Sequence, residues 1–193
     1  IQEGKSLLKG KLDKIIANKK VTLIDDALHP KGFATRAFDR EGFPSQRTVL
    51  IKKGKLNSYL HNTETARQDG TRSTGNGSRS YKSSLTVSPT NFYLESGNSD
   101  EDELLSKYDR IIKIVSLQGM HSGANPVSGD FSLSAEGFLY ENGEKKYSLT
   151  PFTISGNILK LFNDIELIAN NFKFNMSSIG SASVLVRELA VSG

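Results

Sequence analysis

Cysteine and tryptophan are absent from the 193 residues, and histidine occurs only three times. Without cysteine the chain can form no disulfide, and it has no thiol nucleophile and no thiolate ligand for zinc. Long apolar runs are also missing, because Lys, Asp or Ser interrupts each patch well before the ~18 consecutive apolar residues that a membrane helix needs. These absences favour a protein of the reducing cytoplasm that does not cross a membrane.

A strong excess of charge is missing too. There are 25 Lys and Arg against 21 Asp and Glu, a formal net charge of +4, which is little for a protein that binds nucleic acid through its phosphates. The length suits one domain. The polar start at Ile1 has no initiator Met and no signal-peptide core. Residues 1–193 are therefore interpreted as a single domain of a longer protein, whose N-terminal domain is absent from this chain.

The first third of the chain predicts a helix followed by a hairpin. Ser6 suits the N-cap of a helix whose apolar residues, Leu8, Leu12, Ile15 and Ile16, recur at helical spacing. Short apolar runs between Gly, Pro and Asp then predict strands over residues 21–24, 46–51 and 56–61. The Gly-containing turn between the last two strands favours an antiparallel hairpin.

Two polar, glycine-rich segments have almost nothing apolar to bury. Ser, Thr, Gly, Asn and Arg dominate residues 62–84, and Gly, Ser and Pro dominate residues 119–129. Both segments are predicted to be loops. Because long loops inside compact domains are commonly functional or disordered, these two are the first places to look for a site.

Strands also dominate the rest of the chain. Predicted strands cover residues 85–94, 111–117, 131–135, 147–154 and 183–191. Gly137 suggests a bulge, and the Asn142-Gly143 pair predicts a tight hairpin. Ser99 and the acidic run after it resemble the capped start of a short helix, and the apolar spacing from Ile158 to Ile168 predicts another. The expected fold is α+β, mostly antiparallel β-sheet of a sandwich or barrel-like kind, with two or three helices.

The sequence lacks the residue patterns that metal-dependent hydrolysis and nucleophilic catalysis require. A hydrolytic zinc centre requires three ligands around an open position, whereas His29, His61 and His121 form no His-Glu-x-x-His or related pair. No Gly-x-Ser-x-Gly elbow occurs, and the glycines around Asn76 match neither a dinucleotide loop nor a phosphate loop. No catalytic residue and no metal site are predicted in this chain.

The polar loops leave three interpretations open. Arg67, Arg72, Arg79 and Lys82 could contact a nucleic-acid backbone, although the small net charge and the single nearby aromatic residue, Tyr81, argue against it. Strand edges and Gly-rich loops could instead bind an extended peptide, a mode that needs no catalytic residue. The third interpretation is that the loops simply connect strands.

A set of motifs, in order along nearly the whole chain, resembles the C-terminal half of the TldD/PmbA family. The motifs are Ser6-Leu7-Leu8-Lys9-Gly10-Lys11, Gly32-Phe33-Ala34-Thr35, Phe38-Asp39-Arg40-Glu41-Gly42, Thr65-Ala66-Arg67, Ser73-Thr74-Gly75-Asn76, Val127-Ser128-Gly129-Asp130-Phe131-Ser132, Ala135-Glu136-Gly137-Phe138, Glu141-Asn142-Gly143, Ile154-Ser155-Gly156-Asn157 and Gly180-Ser181-Ala182-Ser183-Val184-Leu185. The chain resembles the PmbA branch, also called TldE, more closely than the TldD branch.

This resemblance implies a zinc metalloprotease of the bacterial cytoplasm with two kinds of subunit. TldD carries a His-Glu-x-x-x-His motif and a C-terminal Cys ligand, whereas PmbA is a partner without the metal site. Residues 175–183 contain no cysteine here, and the His-Glu motif would lie upstream of Ile1. The resemblance thus implies no cofactor in this chain and zinc in a TldD-like partner. It also implies unfolded or leader peptides as substrates and a historical link to modulation of DNA gyrase.

The resulting prediction is a non-catalytic PmbA/TldE-type subunit that pairs with a TldD-like subunit, or with itself, and helps to enclose an unfolded peptide. Two alternatives stay open: a metallopeptidase in its own right with a zinc motif upstream of Ile1, and a regulator associated with DNA gyrase. The residues predicted to contact the peptide or the partner are Ser73, Thr74, Gly75, Asn76, Gly77, Arg79, Asn125, Ser128 and Asp130.

Overall fold

Strands dominate the computed structural model, which describes residues 6–193. The strands are β1 (Leu23–Asp26), β2 (Arg47–Lys52), β3 (Lys55–Leu56), β4 (Gly77–Ser78), β5 (Thr86–Val87), β6 (Phe92–Leu94), β7 (Arg110–Gln118), β8 (Asp130–Glu141), β9 (Glu144–Asn157), β10 (Ile165–Ile168), β11 (Lys173–Phe174), β12 (Ile179–Ser181), β13 (Val184–Val186) and β14 (Ala190–Ser192). The helices, none longer than six residues within the described part, are α1 (Thr63–Gln68), α2 (Glu101–Leu105), α3 (Met120–Gly123) and α4 (Ile158–Asn163). The prediction of a mostly antiparallel β fold is confirmed.

β1 lies inside a six-stranded sheet with the order β11-β12-β6-β1-β2-β3. Its four residues are all buried, and it pairs antiparallel with both β2 and β6. The predicted hairpin joins β2 to β3 through a turn in which Lys53 and Gly54 have φ of 48° and 82°. A side chain at Gly54 would come within 2.3 Å of the Ala17 carbonyl oxygen. Glycine is therefore needed at that turn position for both its conformation and its size.

A four-stranded antiparallel sheet has the order β14-β9-β8-β7. Along β8, Leu133, Ala135 and Leu139 are buried while their neighbours are more exposed, which confirms the predicted alternation. The β8–β9 register shifts between Ala135 and Gly137, where the bulge was predicted. Asn142 and Gly143 have φ of 50° and 80°. These left-handed angles are typical of the tight hairpin that the Asn-Gly pair predicted.

Two groups of buried apolar side chains form the core. The larger one joins the six-stranded sheet to α2 and to the β10–β13 pair, and includes Leu23, Ile51, Leu56, Leu104, Ile165 and Leu185. The smaller one consists of Leu133, Ala135, Phe152 and Ile154 on the inner face of β8 and β9. Next to these buried positions on β8, the polar side chains of Ser134 and Glu136 are exposed.

The predicted N-terminal helix is wrong. Residues 7–14 form successive turns, in which Gly10 and Asp13 adopt the left-handed conformation with φ of 71° and 66°. Such residues interrupt a right-handed helix. Ile15, expected on the buried helix face, is 70% exposed.

Other element boundaries also differ from the predictions. The strand predicted at 56–61 ends at Leu56, and the helix predicted as far as Ile168 stops at Asn163 because Ile165–Ile168 pairs with β13 as a strand. The N-cap of α2 is Asp100 rather than Ser99, since its side chain accepts a 2.7 Å hydrogen bond from Glu103 N. Each of the predictions at 85–94 and 183–191 corresponds to two short strands.

Residues 62–84 are more ordered than the prediction of one long loop allowed. They contain α1, capped by Asn62, and the short strand β4. Residues 73–77 are buried even though they are polar or glycine. Burial of such groups requires internal hydrogen bonds, which sequence periodicity does not reveal.

Candidate functional site

The buried polar stretch Ser73–Gly77 is here called the Asn76 loop. The side chain of Asn76 fixes it to β1. Asn76 is 1% exposed. Its Nδ2 donates to Asp25 Oδ2 at 2.7 Å and to the Ser88 carbonyl at 3.0 Å, while its Oδ1 accepts from Thr74 Oγ1 at 2.6 Å. The Asn76 amide thus uses both its donor and its acceptor, and it binds two other segments of the chain as well as its own loop.

Asp25 is the carboxylate at the centre of this network. It also accepts hydrogen bonds from Thr90 N at 2.5 Å and from Thr90 Oγ1 at 3.0 Å. Burial raises the pKa of Asp25 above its ordinary value, against the opposing effects of the hydrogen bonds from Asn76 and Thr90 and of the Arg36 charge. Arg36 Nη2 in turn donates to the Gly75 carbonyl at 3.3 Å. Asp25 therefore serves as an acceptor that positions the loop.

His61 supports the Asn76 loop from the other side. Its backbone N donates to Thr74 Oγ1 at 2.7 Å, and its carbonyl accepts from the Ser73 hydroxyl at 3.3 Å and from Thr74 N at 3.2 Å. The ring is buried and has Asp69 Oδ2 at 3.9 Å from Nε2. Burial lowers the pKa of His61, while the Asp69 charge acts in the opposite direction.

A second turn, Phe38–Phe43, packs on β4 and is here called the Asp39 turn. Asp39 accepts hydrogen bonds from the backbone N of Gly77, Glu41 and Phe43 at 2.8 to 2.9 Å. Glu41 Oε2 accepts from Thr63 N, in the first turn of α1, at 2.8 Å. Both carboxylates therefore interact with backbone amides of the protein itself.

Between the Asp39 turn and the segment after β4 lies an open depression of about 580 Å³, here called the Arg79 depression. Its lining residues are Phe38, Asp39, Arg40, Gly42, Arg79, Ser80, Tyr81 and Ser83. Tyr81 is 92% exposed and Phe38 is 64% exposed. Neither Arg40 nor Arg79 forms an ion pair with any residue in the range 6–193. The depression thus combines exposed aromatic rings with two guanidinium groups that have no ion-pair partner among residues 6–193.

The segment Gly123–Asp130, which overlaps the second predicted loop at residues 119–129, is also held by an asparagine and is here called the Gly123–Asp130 loop. Asn157 Nδ2 donates to the Ser128 carbonyl and to Asp130 Oδ1, both at 2.9 Å. Asn125 Oδ1 accepts from the backbone N of Val127 at 2.8 Å and of Ser128 at 3.1 Å. Hydrogen bonds from Asn157 and Ser128 lower the pKa of Asp130.

An apolar groove of about 350 Å³ lies beside this second loop. Asn125 and Asp130 stand at its rim, and its apolar lining includes Leu117, Met120, Pro126, Phe131 and Ile158. Leu117 and Met120 are 44% and 56% exposed. The groove borders the end of β7, an edge strand of the four-stranded sheet.

The nine predicted contact residues thus form two groups. Ser73–Gly77 and Arg79 lie with the Asp39 turn, whereas Asn125, Ser128 and Asp130 lie beside the apolar groove; among the described residues no hydrogen bond joins the two groups. The side chains of Ser73, Thr74 and Asn76 are buried, and that of Arg79 is exposed.

Sequence reasoning missed three residues that shape these surfaces. Asp25, Asp39 and Asn91 are all buried and bind the backbone of distant segments. Asn91, for example, binds both Ala34 N and the Asp26 carbonyl, and a side chain at Gly32 would collide with it at 2.3 Å. The signal that could have found Asp25 is its place at the end of an apolar run, residues 21–24, that was itself predicted to be a strand.

The three histidines stand in three different settings. His29 packs edge-on against Tyr93 and Phe174, His61 lies beneath the Asn76 loop, and His121 is in α3. Across residues 6–193 no three His, Asp or Glu side chains are grouped so as to hold a metal ion. In the same range, no helix has the length and apolar character needed to cross a membrane.

Fold and site together define a mostly antiparallel β domain that carries two amide-anchored polar loops. The chain belongs to the PmbA/TldD metallopeptidase family: the family model described as the PmbA/TldA metallopeptidase C-terminal domain matches residues 1–193.

Relatives and solved structures agree with this family. A metalloprotease of Archaeoglobus fulgidus is 31% identical over 96% of this chain and 43% of its own length, and metalloprotease PmbA of Escherichia coli O157:H7 is 30% identical over 86% and 35%. The crystal structure of TldE from Thermococcus kodakarensis matches with a TM-score of 0.90 and 28% identity, over 100% of this chain and 44% of the other.

A Thermotoga maritima structure, named as that of a candidate modulator of a DNA gyrase, matches with a TM-score of 0.91 and 39% identity. The match covers 99% of this chain and 43% of the other. The chain thus spans less than half the length of these relatives.

Proposed function

We propose that this chain is the C-terminal domain of a non-catalytic, PmbA/TldE-type subunit, which associates with a TldD-like metalloprotease subunit and helps to enclose an extended peptide. The observation that carries the proposal is where the potential zinc ligands, His and Asp side chains, lie and what they bind. The three histidines stand in three different settings, and the carboxylates of Asp25 and Asp39 accept hydrogen bonds from the protein's own amides. The similarity to TldE from Thermococcus kodakarensis supports the same assignment.

The surfaces described above suit a peptide-enclosing role. The Asn76 loop is hydrogen-bonded to the Asp39 turn, which lines the Arg79 depression, and the Gly123–Asp130 loop borders the apolar groove. Both loops are fixed by buried or half-buried amide side chains. β7 offers a nine-residue edge strand, and an extended chain can add to such an edge through main-chain hydrogen bonds. The apolar groove next to it can take an apolar side chain of the peptide or of the partner.

The association can be tested with the full-length protein and a TldD-like subunit from the same organism. Mixed at equal concentration, the two are expected to form a heteromeric complex in native mass spectrometry. Met120→Asp, which places a charge at the apolar groove, and Arg79→Gln, at the depression, are expected to reduce peptide cleavage or complex formation. Tyr147→Asp, at an exposed position on β9, is the control. If neither variant changes cleavage or association, neither the apolar groove nor the Arg79 depression faces the peptide or the partner.

Two other functions have specific support and give different results. The relatives called metalloproteases favour a chain that hydrolyses peptides unaided, and that function predicts stoichiometric zinc in the protein purified alone. The name of the Thermotoga maritima relative favours a regulator linked to DNA gyrase. Binding of DNA through phosphates would weaken as salt is added.

A further inference from the structure

We infer that the Arg79 depression binds an acidic residue of an extended peptide, with Arg40 and Arg79 on the carboxylate and with Phe38 and Tyr81 against a neighbouring apolar side chain. This inference rests on the proposed function, because it names the class of peptide that the subunit would hold. It assigns a substrate preference to a surface on which no catalytic group lies.

The charges around the depression are arranged so that the guanidinium groups stay available. Asp39 lines the same surface, but its two oxygens accept three backbone N–H groups. The nearby Glu41 accepts from Thr63 N. Neither carboxylate pairs with Arg40 or Arg79 within the part of the chain that the structure describes. A carboxylate supplied from outside would therefore meet cations that need no prior release from an internal partner.

The depression also has a rigid base. Gly77 connects it to the Asn76 loop, because Gly77 N donates to Asp39 and the Gly77 carbonyl accepts from Arg40 N at 3.0 Å. A side chain at Gly77 would come within 2.8 Å of Asp39 Oδ2. The backbone that carries Arg40 is thus set by the loop, and a ligand need not order it on binding.

The shape and the aromatic residues favour a peptide over a nucleic acid. A nucleic-acid backbone calls for a track of several cations, whereas two arginines line this depression together with the acidic residue Asp39. Arg67 and Arg72 are not part of the lining. A volume of about 580 Å³ is enough for two side chains of a peptide, and exposed Phe38 and Tyr81 offer apolar area beside the charges.

The test compares two capped peptides that differ in one residue. Both are unfolded, acetylated and amidated so that no terminal carboxylate is present; one contains a Glu-Phe step and the other Gln-Phe. Isothermal titration calorimetry with the full-length protein is expected to give about tenfold tighter binding of the Glu peptide at low salt. The preference is expected to shrink as salt is added, since the groups are exposed.

Three variants separate the parts of the site. Arg79→Gln is expected to lower the Glu preference to about threefold, and Arg40→Gln with Arg79→Gln to abolish it. Tyr81→Ala is expected to weaken both peptides by about the same factor. The matched control is Arg67→Gln, which removes one exposed positive charge from α1, outside the depression, and is expected to leave the preference unchanged.

Each other result overturns the inference. Equal binding of the two peptides, or no binding of either, would contradict the carboxylate site. It would not bear on the association of the subunits, which is measured separately. An equal loss of preference in Arg67→Gln and Arg79→Gln would mean a general charge effect. If a single-stranded DNA oligonucleotide binds more tightly than the Glu peptide, and Arg79→Gln or the double arginine variant weakens its binding, the surface would be assigned to nucleic acid instead.

Discussion

Asn76 Nδ2 lies 2.7 Å from Asp25 Oδ2, although the two residues are 51 positions apart. This hydrogen bond joins the centre of a buried strand to a loop with almost no apolar residues. It explains how residues 73–77 can be buried at all, since a polar loop enters a protein interior only if its amides and hydroxyls find partners there. The Asn76 loop in turn carries Gly77, which positions the Asp39 turn.

Removing the Asn76 side chain is expected to destabilise the domain strongly. Asn76→Ala removes one donor from Asp25 and one from the Ser88 carbonyl, and it removes the acceptor of the Thr74 hydroxyl. We expect a loss of about 2–4 kcal/mol in the free energy of unfolding, measured by urea denaturation of the full-length protein. Asn98→Ala, at an exposed position, is the control and should change stability by less than about 0.5 kcal/mol. A comparably small effect of Asn76→Ala would show that the network contributes little.

A methyl group at position 77 is expected to loosen the Asp39 turn. In Gly77→Ala the new Cβ would stand 2.8 Å from Asp39 Oδ2 and 2.9 Å from Glu41 Oε2. The Asp39 side chain must then move, which weakens its hydrogen bonds to the backbone N of Glu41 and Phe43. We expect these two amides to exchange hydrogen faster than in the wild type. The control is Ser84→Ala, at an exposed position in the same stretch of residues 62–84, which should leave their exchange unchanged. Unchanged exchange would mean that Asp39 does not depend on Gly77.

Acid is expected to weaken the contact between α2 and the rest of the fold through Glu101. Hydrogen bonds from Lys113, at 2.9 Å, and from Ser183 Oγ, at 2.8 Å, lower the pKa of Glu101 below its ordinary value. The folded state therefore favours the charged form, so the stabilisation is present above the ordinary pKa and is lost as the pH falls through the lowered value. Glu101→Gln should lower the free energy of unfolding at neutral pH and make little difference at a pH below that lowered value. An equal loss at both pH values would contradict this origin.

Local sequence signals predicted the elements that depend on nearby residues. The hairpin at Asn142-Gly143, the bulge at Gly137 and the alternation along β8 follow from turn conformation and from the twofold period of a strand, and all three are confirmed. Tertiary contacts decided the elements that were predicted wrongly. Ile165–Ile168 has helical spacing with the residues before it, yet it pairs with β13 because its two isoleucines enter the main core there.

The candidate site was predicted only in part, because tertiary contacts also decide how its loop is anchored. The composition of residues 73–79 marked the loop, and the family resemblance included the motif around Asp39. What anchors the loop could not be read from spacing, since Asp25 and the Ser88 carbonyl bind Asn76 from other segments of the chain and Thr90 in turn binds Asp25. A buried carboxylate within an apolar run is the signal that deserves more weight, because its burial requires partners elsewhere in the chain.

The central claim is that this subunit lacks the metal centre and depends on a TldD-like partner for hydrolysis. It is tested most directly by measuring zinc content and cleavage of an unfolded peptide for the full-length protein alone, for the TldD-like subunit alone and for their mixture. The account predicts that zinc accompanies the TldD-like subunit and that the full-length protein alone does not cleave. Stoichiometric zinc in the full-length protein, together with unaided cleavage, would contradict it.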